Sequence, residues 1–238
     1  MEFEIFSEEL ENAAKQIEIE LTKKQIEKFY NYMNLLLEWN EKINLTAIIE
    51  PREVILKHFV DSLTIAKYIK ENEKLIDVGT GAGFPGIPLS IVKENTDIVL
   101  LDSLNKRINF LEEIKQNLKL KNITTIHGRA EEFGKNKNER EKYDIATSRA
   151  VASLNILLEY LLPLVKVGGR AICMKGSNIE EIENAKNALE ILGGKIEKIE
   201  EITLPNSDIK RNIIIVKKVK NTPSKYPRKP GTPSKEPI

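Results

Sequence analysis

The chain has 238 residues, 31% charged and 41% hydrophobic, a length and balance that suit one soluble domain with an appendage. Its 37 Lys and Arg face 36 Asp and Glu, so the net charge is +1 and any nucleic-acid footprint has to be local. A single cysteine excludes an internal disulfide, no apolar run reaches the length of a membrane span, and the acidic start MEFEIFSEEL does not read as a signal, so a cytoplasmic protein with no membrane partner is expected. Residues 1–70 read as helices. Thr22 and Gln25 have capping-box spacing, and Ile26, Phe29, Tyr30, Met33, Leu36 and Leu37 mark one helical face that ends at Trp39 and Asn40. Asn44, Leu45 and Thr46 suit a turn, and Pro51 suits the first position of another helix. His58 in that segment is expected to pack rather than to do chemistry.

From Leu75 the pattern alternates. Strands are predicted at 75–79, 97–102, 123–127, 143–147 and 168–174, with helices at 86–94, 105–119, 153–165 and 178–192. Such alternation predicts a parallel sheet with helices on both faces. Strands near 196–204 and 211–219 are joined too closely for a parallel crossover, so they are expected to pair antiparallel. The domains expected are a helical extension (1–70), an α/β domain (71–219) and a basic, proline-rich tail (220–238). Five of the ten prolines lie in that tail, at 223, 227, 230, 233 and 237, with Lys220, Lys225, Arg228, Lys229 and Lys235 against only Glu236. The tail is expected to be extended and exposed, as a disordered end or as an arm that touches a phosphate backbone. Packing of Tyr226 and the prolines on the sheet is a further possibility.

The chemistry is concentrated in KLIDVGTGAGFPGIP, residues 74–88. A short apolar strand is followed by Gly79, Gly81, Gly83 and Gly86, and then by an apolar helix. Glycine there allows backbone angles other residues avoid and a close approach by a ligand. Counted from the first glycine, a dinucleotide pattern fails because position 84 is Phe, and Phe84 and Pro85 crowd the turn. DVGTGAG resembles the first motif of S-adenosylmethionine (AdoMet) methyltransferases. Asp102, 23 residues after Gly79, ends the second strand and can accept hydrogen bonds from ribose hydroxyls. That sugar is common to NAD and AdoMet, so Asp102 does not separate them, and it can also cap the following helix.

NLTAI (44–48), HFVDSL (58–63), DVGTGAGFPGIPL (77–89), LLDSLNKRINFL (100–111), GRAEE (128–132), SRAVASL (148–154) and YPRKPGTPSKEP (226–237) together resemble the RsmG (GidB) family of bacterial methyltransferases that act on small-subunit ribosomal RNA. The resemblance spans nearly the whole chain. It implies a class I AdoMet-dependent methyltransferase fold, Rossmann-like, with a seven-stranded, mostly parallel sheet and one reversed strand. It also implies methyl transfer to N7 of a guanine in 16S rRNA. The residues it implies at AdoMet are Gly79, Gly81, Phe84, Asp102, Ser103, Leu104, Ala130, Glu131 and Arg149. The partner expected is 16S rRNA or a precursor of the small ribosomal subunit, met by a monomer; a small-molecule methyltransferase of the same fold is the alternative.

Guanine N7 carries a free lone pair and can attack a sulfonium methyl with no proton to remove, so positioning matters more than a general base. The sequence has no base constellation and no metal site is expected. An Asp-Pro-Pro-Tyr motif for an exocyclic amine is absent where SRAVAS stands, and Cys173 in the apolar run AICM reads as core rather than nucleophile. Arg149 is the candidate beside the methyl group, since a planar guanidinium can hold a carboxylate, a guanine O6 or a phosphate. Lys175, Arg211, Arg228 and Lys229 are candidate RNA contacts.

Overall fold

The structure is a computed structural model that describes residues 1–178 and 180–238. Two helices, α1 (Phe3–Gln16) and α2 (Lys23–Ile43), open the chain. Thr22 and Gln25 form the expected capping box, which satisfies two backbone donors at the start of α2. The helix runs to Ile43, past the expected end at Asn40, because its chain reverses only at Asn44 in a left-handed conformation. Its buried face is Ile26, Phe29, Tyr32, Met33 and Leu36; Tyr32 is inside, while Tyr30 and Leu37 are only partly buried. Pro51 starts α3 (Pro51–Val54) as expected. A π-helical turn (Ile55–Val60) then leads into α4 (Asp61–Leu63). Such turns insert an extra residue and are frequent at functional sites.

Seven strands follow: β1 (Lys74–Val78), β2 (Asp97–Asp102), β3 (Ile123–His127), β4 (Tyr143–Arg149), β5 (Val165–Lys175), β6 (Gly194–Thr203) and β7 (Lys210–Lys218). Their spatial order is β3-β2-β1-β4-β5-β7-β6. Only β7 is reversed, antiparallel to both β5 and β6. The order turns around at β1, which lies between β2 and β4, and an open sheet of this kind has its crevice outside the carboxyl ends of those strands.

The remaining helices are α5 (Gly86–Val92), α6 (Asn105–Asn117), α7 (Ala130–Phe133), α8 (Leu154–Leu161), α9 (Glu180–Asn184), α10 (Lys186–Leu192) and α11 (Thr232–Lys235). One hydrophobic core joins α1, α2, α5 and α6 to one sheet face; the other joins α8 and α10 to the opposite face and includes Tyr226. Two predicted helices differ. The one at 153–165 stops at Leu161, because Val165 already begins β5. The one at 178–192 is two helices that meet at Ala185, and Ile179 within it lies outside the described residues.

The tail departs most from expectation. It is not an exposed, extended arm: Thr222, Tyr226, Pro227 and Pro233 are buried, and Thr232–Lys235 is helical. Proline has no N–H to give a sheet, but the carbonyls of a proline-rich segment can still be paired, and here one arginine takes three of them. Arg140 donates to the carbonyl oxygens of Thr222 (2.7 Å), Pro223 (3.3 Å) and Tyr226 (2.8 Å). Glu159, almost fully buried, receives the backbone N–H of Arg228 (2.7 Å) and its guanidinium (2.6 Å).

Candidate active site

The turn after β1 is built from its own residues and from α2. Asp77, fully buried, accepts at Oδ2 from Thr80 Oγ1 (2.6 Å) and Gly86 N (2.9 Å), which ties both ends of the turn together. Burial, only partly offset by these bonds, raises its carboxyl to about 6, and Oδ1 has no hydrogen-bond partner among the described residues. Gly83 has φ +99°, and a Cβ there would lie 2.4 Å from Ile87 Cγ1. Gly81 has φ +62°, and a Cβ there would meet nothing within 4 Å. The loop is therefore closed on its helix side and open at Gly81, a shape that admits a ligand close to the backbone. Tyr32 fixes it from above: its hydroxyl donates to Ala82 O (2.5 Å), and its ring stacks between those of Phe59 and Phe84.

Asp102 holds the neighbouring loops. Its Oδ2 accepts from Gly81 N (2.9 Å) and Arg107 Nη1 (3.3 Å), and its Oδ1 from Leu104 N (2.9 Å). A cavity of about 210 Å³ opens beside it, lined by Gly79, Asp102, Ser103, Ala130, Glu131 and Tyr160. The polar lining, the open position at Gly81 and the orphaned Asp77 oxygen nearby in the turn fit a nucleoside with an amino-acid end. The glycine turn has no open helix start for a pyrophosphate, since Pro85 and Gly86 begin α5 and Gly86 is buried.

A second cavity, of about 330 Å³, lies at the end of β4 and is lined by His58, Asp61, Arg149, Lys175, Glu181 and Arg211. Arg149 is its centre. It donates to Lys57 O (2.9 Å), Asp61 Oδ2 (3.1 Å) and His58 Nδ1 (3.0 Å), and its guanidinium lies 5.0 Å from the Phe84 ring centroid. Burial works against the Arg149 charge, and Asp61 and then Asp77 support it. Because arginine only donates, His58 Nδ1 must accept. The ring proton is then on Nε2, which donates to Thr46 Oγ1 (2.8 Å). Burial first, and Arg149 second, lower the His58 imidazole to about 3, so it is neutral at physiological pH. His58 stacks on Phe84 with centroids 4.3 Å apart and planes 11° from parallel. Arg211 joins the set through Asp61 (3.3 Å), while Lys175 Nζ is held by Ala152 O (2.6 Å) and Glu181 (2.7 Å).

The structure thus brings Gly79, Gly81, Asp102, Ser103, Ala130 and Glu131 to one cavity edge and Arg149, Lys175 and Arg211 to the other, with Phe84 beneath Arg149. Leu104 is half-exposed at the start of α6. Arg228 lies at the other end of the site, against Glu159, and Lys229 is exposed. Sequence reasoning missed His58, Asp61, Thr46 and Tyr32 as site-builders. The quoted segments NLTAI and HFVDSL contain three of them, but no local pattern tells that they converge on a residue about 90 positions later. A further cavity, about 620 Å³ under the α1–α2 connection, contains none of the glycine loop and none of Asp102, Glu131 or Arg149, so the chemistry lies in the two described above.

The sheet order, the glycine turn after β1 and the acid after β2 define a Rossmann-like methyltransferase fold. A solved AdoMet-dependent methyltransferase from Aquifex aeolicus has the same fold, with a TM-score of 0.52 at 20% identity over 70% of this chain and 93% of that one. Residues 25–214 match the GidB family model, described as rRNA small subunit methyltransferase G, and the chain belongs to that family. Its relatives include the ribosomal RNA small subunit methyltransferase G of Acetivibrio thermocellus, 60% identical over 92% of this chain and 91% of that protein. The protein of the same name from Alkaliphilus metalliredigens is 53% identical over 96% and 97%. No helix among the described residues is long and apolar enough to cross a membrane.

Proposed function

We propose that this chain methylates N7 of a guanine in 16S rRNA, with AdoMet as methyl donor, acting as a cytoplasmic monomer on the small ribosomal subunit or its precursor. The carrying observation is Arg149, pinned by His58, Asp61 and Phe84 between the glycine loop and the β4–β5 cavity. AdoMet, when bound, supplies an electrophilic methyl on a sulfonium centre. Asp102 and the Gly79–Gly81 backbone would hold its ribose and amino-acid end, and Glu131 and Ala130 its base. The imidazole and carboxylates of the acceptor cavity are engaged by donors: Arg149 takes the His58 Nδ1 lone pair, two arginines hold Asp61, and Glu181 accepts from Lys175 and Leu154 N. An acceptor that needs no deprotonation suits this setting, and guanine N7 is one. Positioning of the base against the donor then supplies the rate. Lys175, Arg211, Lys229 and Arg228 are the cations proposed to meet the RNA backbone, with the first two nearest Arg149.

Mass mapping of 16S rRNA from cells with and without the protein tests this reading. The expected result is one 7-methylguanine that disappears with the protein; an unchanged methylation pattern overturns it.

A further inference from the structure

Two contacts bind the tail to residues that line the β2–β3 cavity, and a third anchors it beside them. The Gly231 N–H donates to Glu131 Oε1 (3.0 Å). The Tyr160 hydroxyl, on a residue that lines the cavity, pairs with Ser234 Oγ (3.1 Å). Just before them, Arg228 anchors the tail on Glu159, whose own chain neighbour is Tyr160. Glu131 is buried and lines the cavity, and its Oε2 accepts no hydrogen bond from any described residue. A carboxylate held at one oxygen by a backbone donor has its second oxygen fixed in direction. It is suited to an amine donor and repels a carbonyl oxygen in the same place.

We infer that residues 228–235 form a strap that backs Glu131 and Tyr160 at the adenosine end of the cofactor cavity and aims Glu131 at the 6-amino group of the adenine, so that the tail sets the discrimination between 6-amino and 6-oxo purines. This rests on the AdoMet reading given above. Gly231 and Arg228 are positioning residues: they touch Glu131 and Glu159 and not the cofactor. The arrangement gives the proline-rich segment a role in the cofactor site. Its prolines keep the strap stiff between the Arg228 anchor and the Ser234 contact, which lowers the entropy lost in holding Glu131.

The test is a pair of calorimetric titrations, S-adenosylhomocysteine against S-inosylhomocysteine, on the full-length protein and its variants. The wild type is expected to favour the 6-amino compound by about ten- to a hundredfold, the value of a charge-assisted hydrogen bond. Glu131→Gln should bring the ratio to within about threefold. Arg228→Met with Glu159→Met removes the anchor without leaving a buried charge and should do the same, while Arg228→Lys should restore most of the preference. Gly231→Pro keeps Arg228 and Glu159 but removes the N–H and, because proline cannot take φ +82°, shifts the backbone that presented it to Glu131; it decides the matter if the double variant does not fold. A variant that folds, binds and keeps the wild-type ratio overturns the strap. Wild-type protein that binds neither compound overturns the cofactor reading beneath it, a different and distinguishable failure.

Discussion

Replacing Asp102 by Ala should do two separable things. The carboxylate serves the apo protein before it serves any ligand: it accepts from Gly81 N and Leu104 N, each at 2.9 Å, and is almost fully buried. Alanine leaves both backbone donors without that partner. Each unsatisfied donor costs about 1–3 kcal/mol, and water can reach the half-exposed Leu104 end, so the loss should total about 2–4 kcal/mol. Urea denaturation without cofactor measures this directly, as a lower midpoint at an unchanged slope. Calorimetry on the folded variant then measures the ribose contribution, expected as a further ten- to hundredfold loss of AdoMet affinity, about 1.5–3 kcal/mol. Unchanged apo stability would refute the loop-holding role. Unchanged affinity in a folded variant would refute the ribose role, whatever happens to stability.

Tyr32→Phe keeps the stacked ring and deletes the donor to Ala82 O; it should cost about 1–2 kcal/mol in urea denaturation and lower AdoMet affinity severalfold, and wild-type values for both would show that the bond does not hold the loop. Asp77 has a carboxyl raised by burial from 3.8 to about 6, so the folded state binds the extra proton between those values and stability should fall as pH rises from about 4 to about 6. Asp77→Asn cannot titrate, and the difference between the two stability–pH curves should change by about 2–3 kcal/mol across that window; parallel curves would remove Asp77 as the cause. Deletion of residues 221–238 strips Glu159 of Arg228 and Arg140 of three carbonyl partners, so melting should drop by the equivalent of about 3–5 kcal/mol; an unchanged melting curve would mean that the packed tail contributes nothing.

What was legible in the sequence was local. The glycine turn, the acid after β2 and the strand–helix alternation each depend on residues within a few turns of one another, and the reversed β7 followed from a loop too short for a crossover. The helix breaks near Leu161 and Ala185 were not legible because both segments keep an apolar pattern through the break. His58 reads in sequence as a packed histidine. It is packed, but against Phe84, 26 positions on, and bonded to Arg149, 91 positions on. The tail misled for a related reason. Proline density reports what a segment cannot do with its own backbone, and says nothing of an arginine at position 140 that gathers its carbonyls.

The stack of Phe59, Tyr32, Phe84 and His58 has a consequence for how damage to this protein is felt. Its members come from α2, the π-helical turn and the glycine loop, so the wall of the catalytic cleft at Phe84 and Arg149 depends on the amino-terminal helices. A lesion that loosens α2, far along the chain from any residue that meets a substrate, slackens the turn at Ala82 and the ring beneath Arg149 together. In a cell it would pass for a fault in methyl transfer, and a screen for inactive alleles should return hits in α2 beside those in the cleft itself.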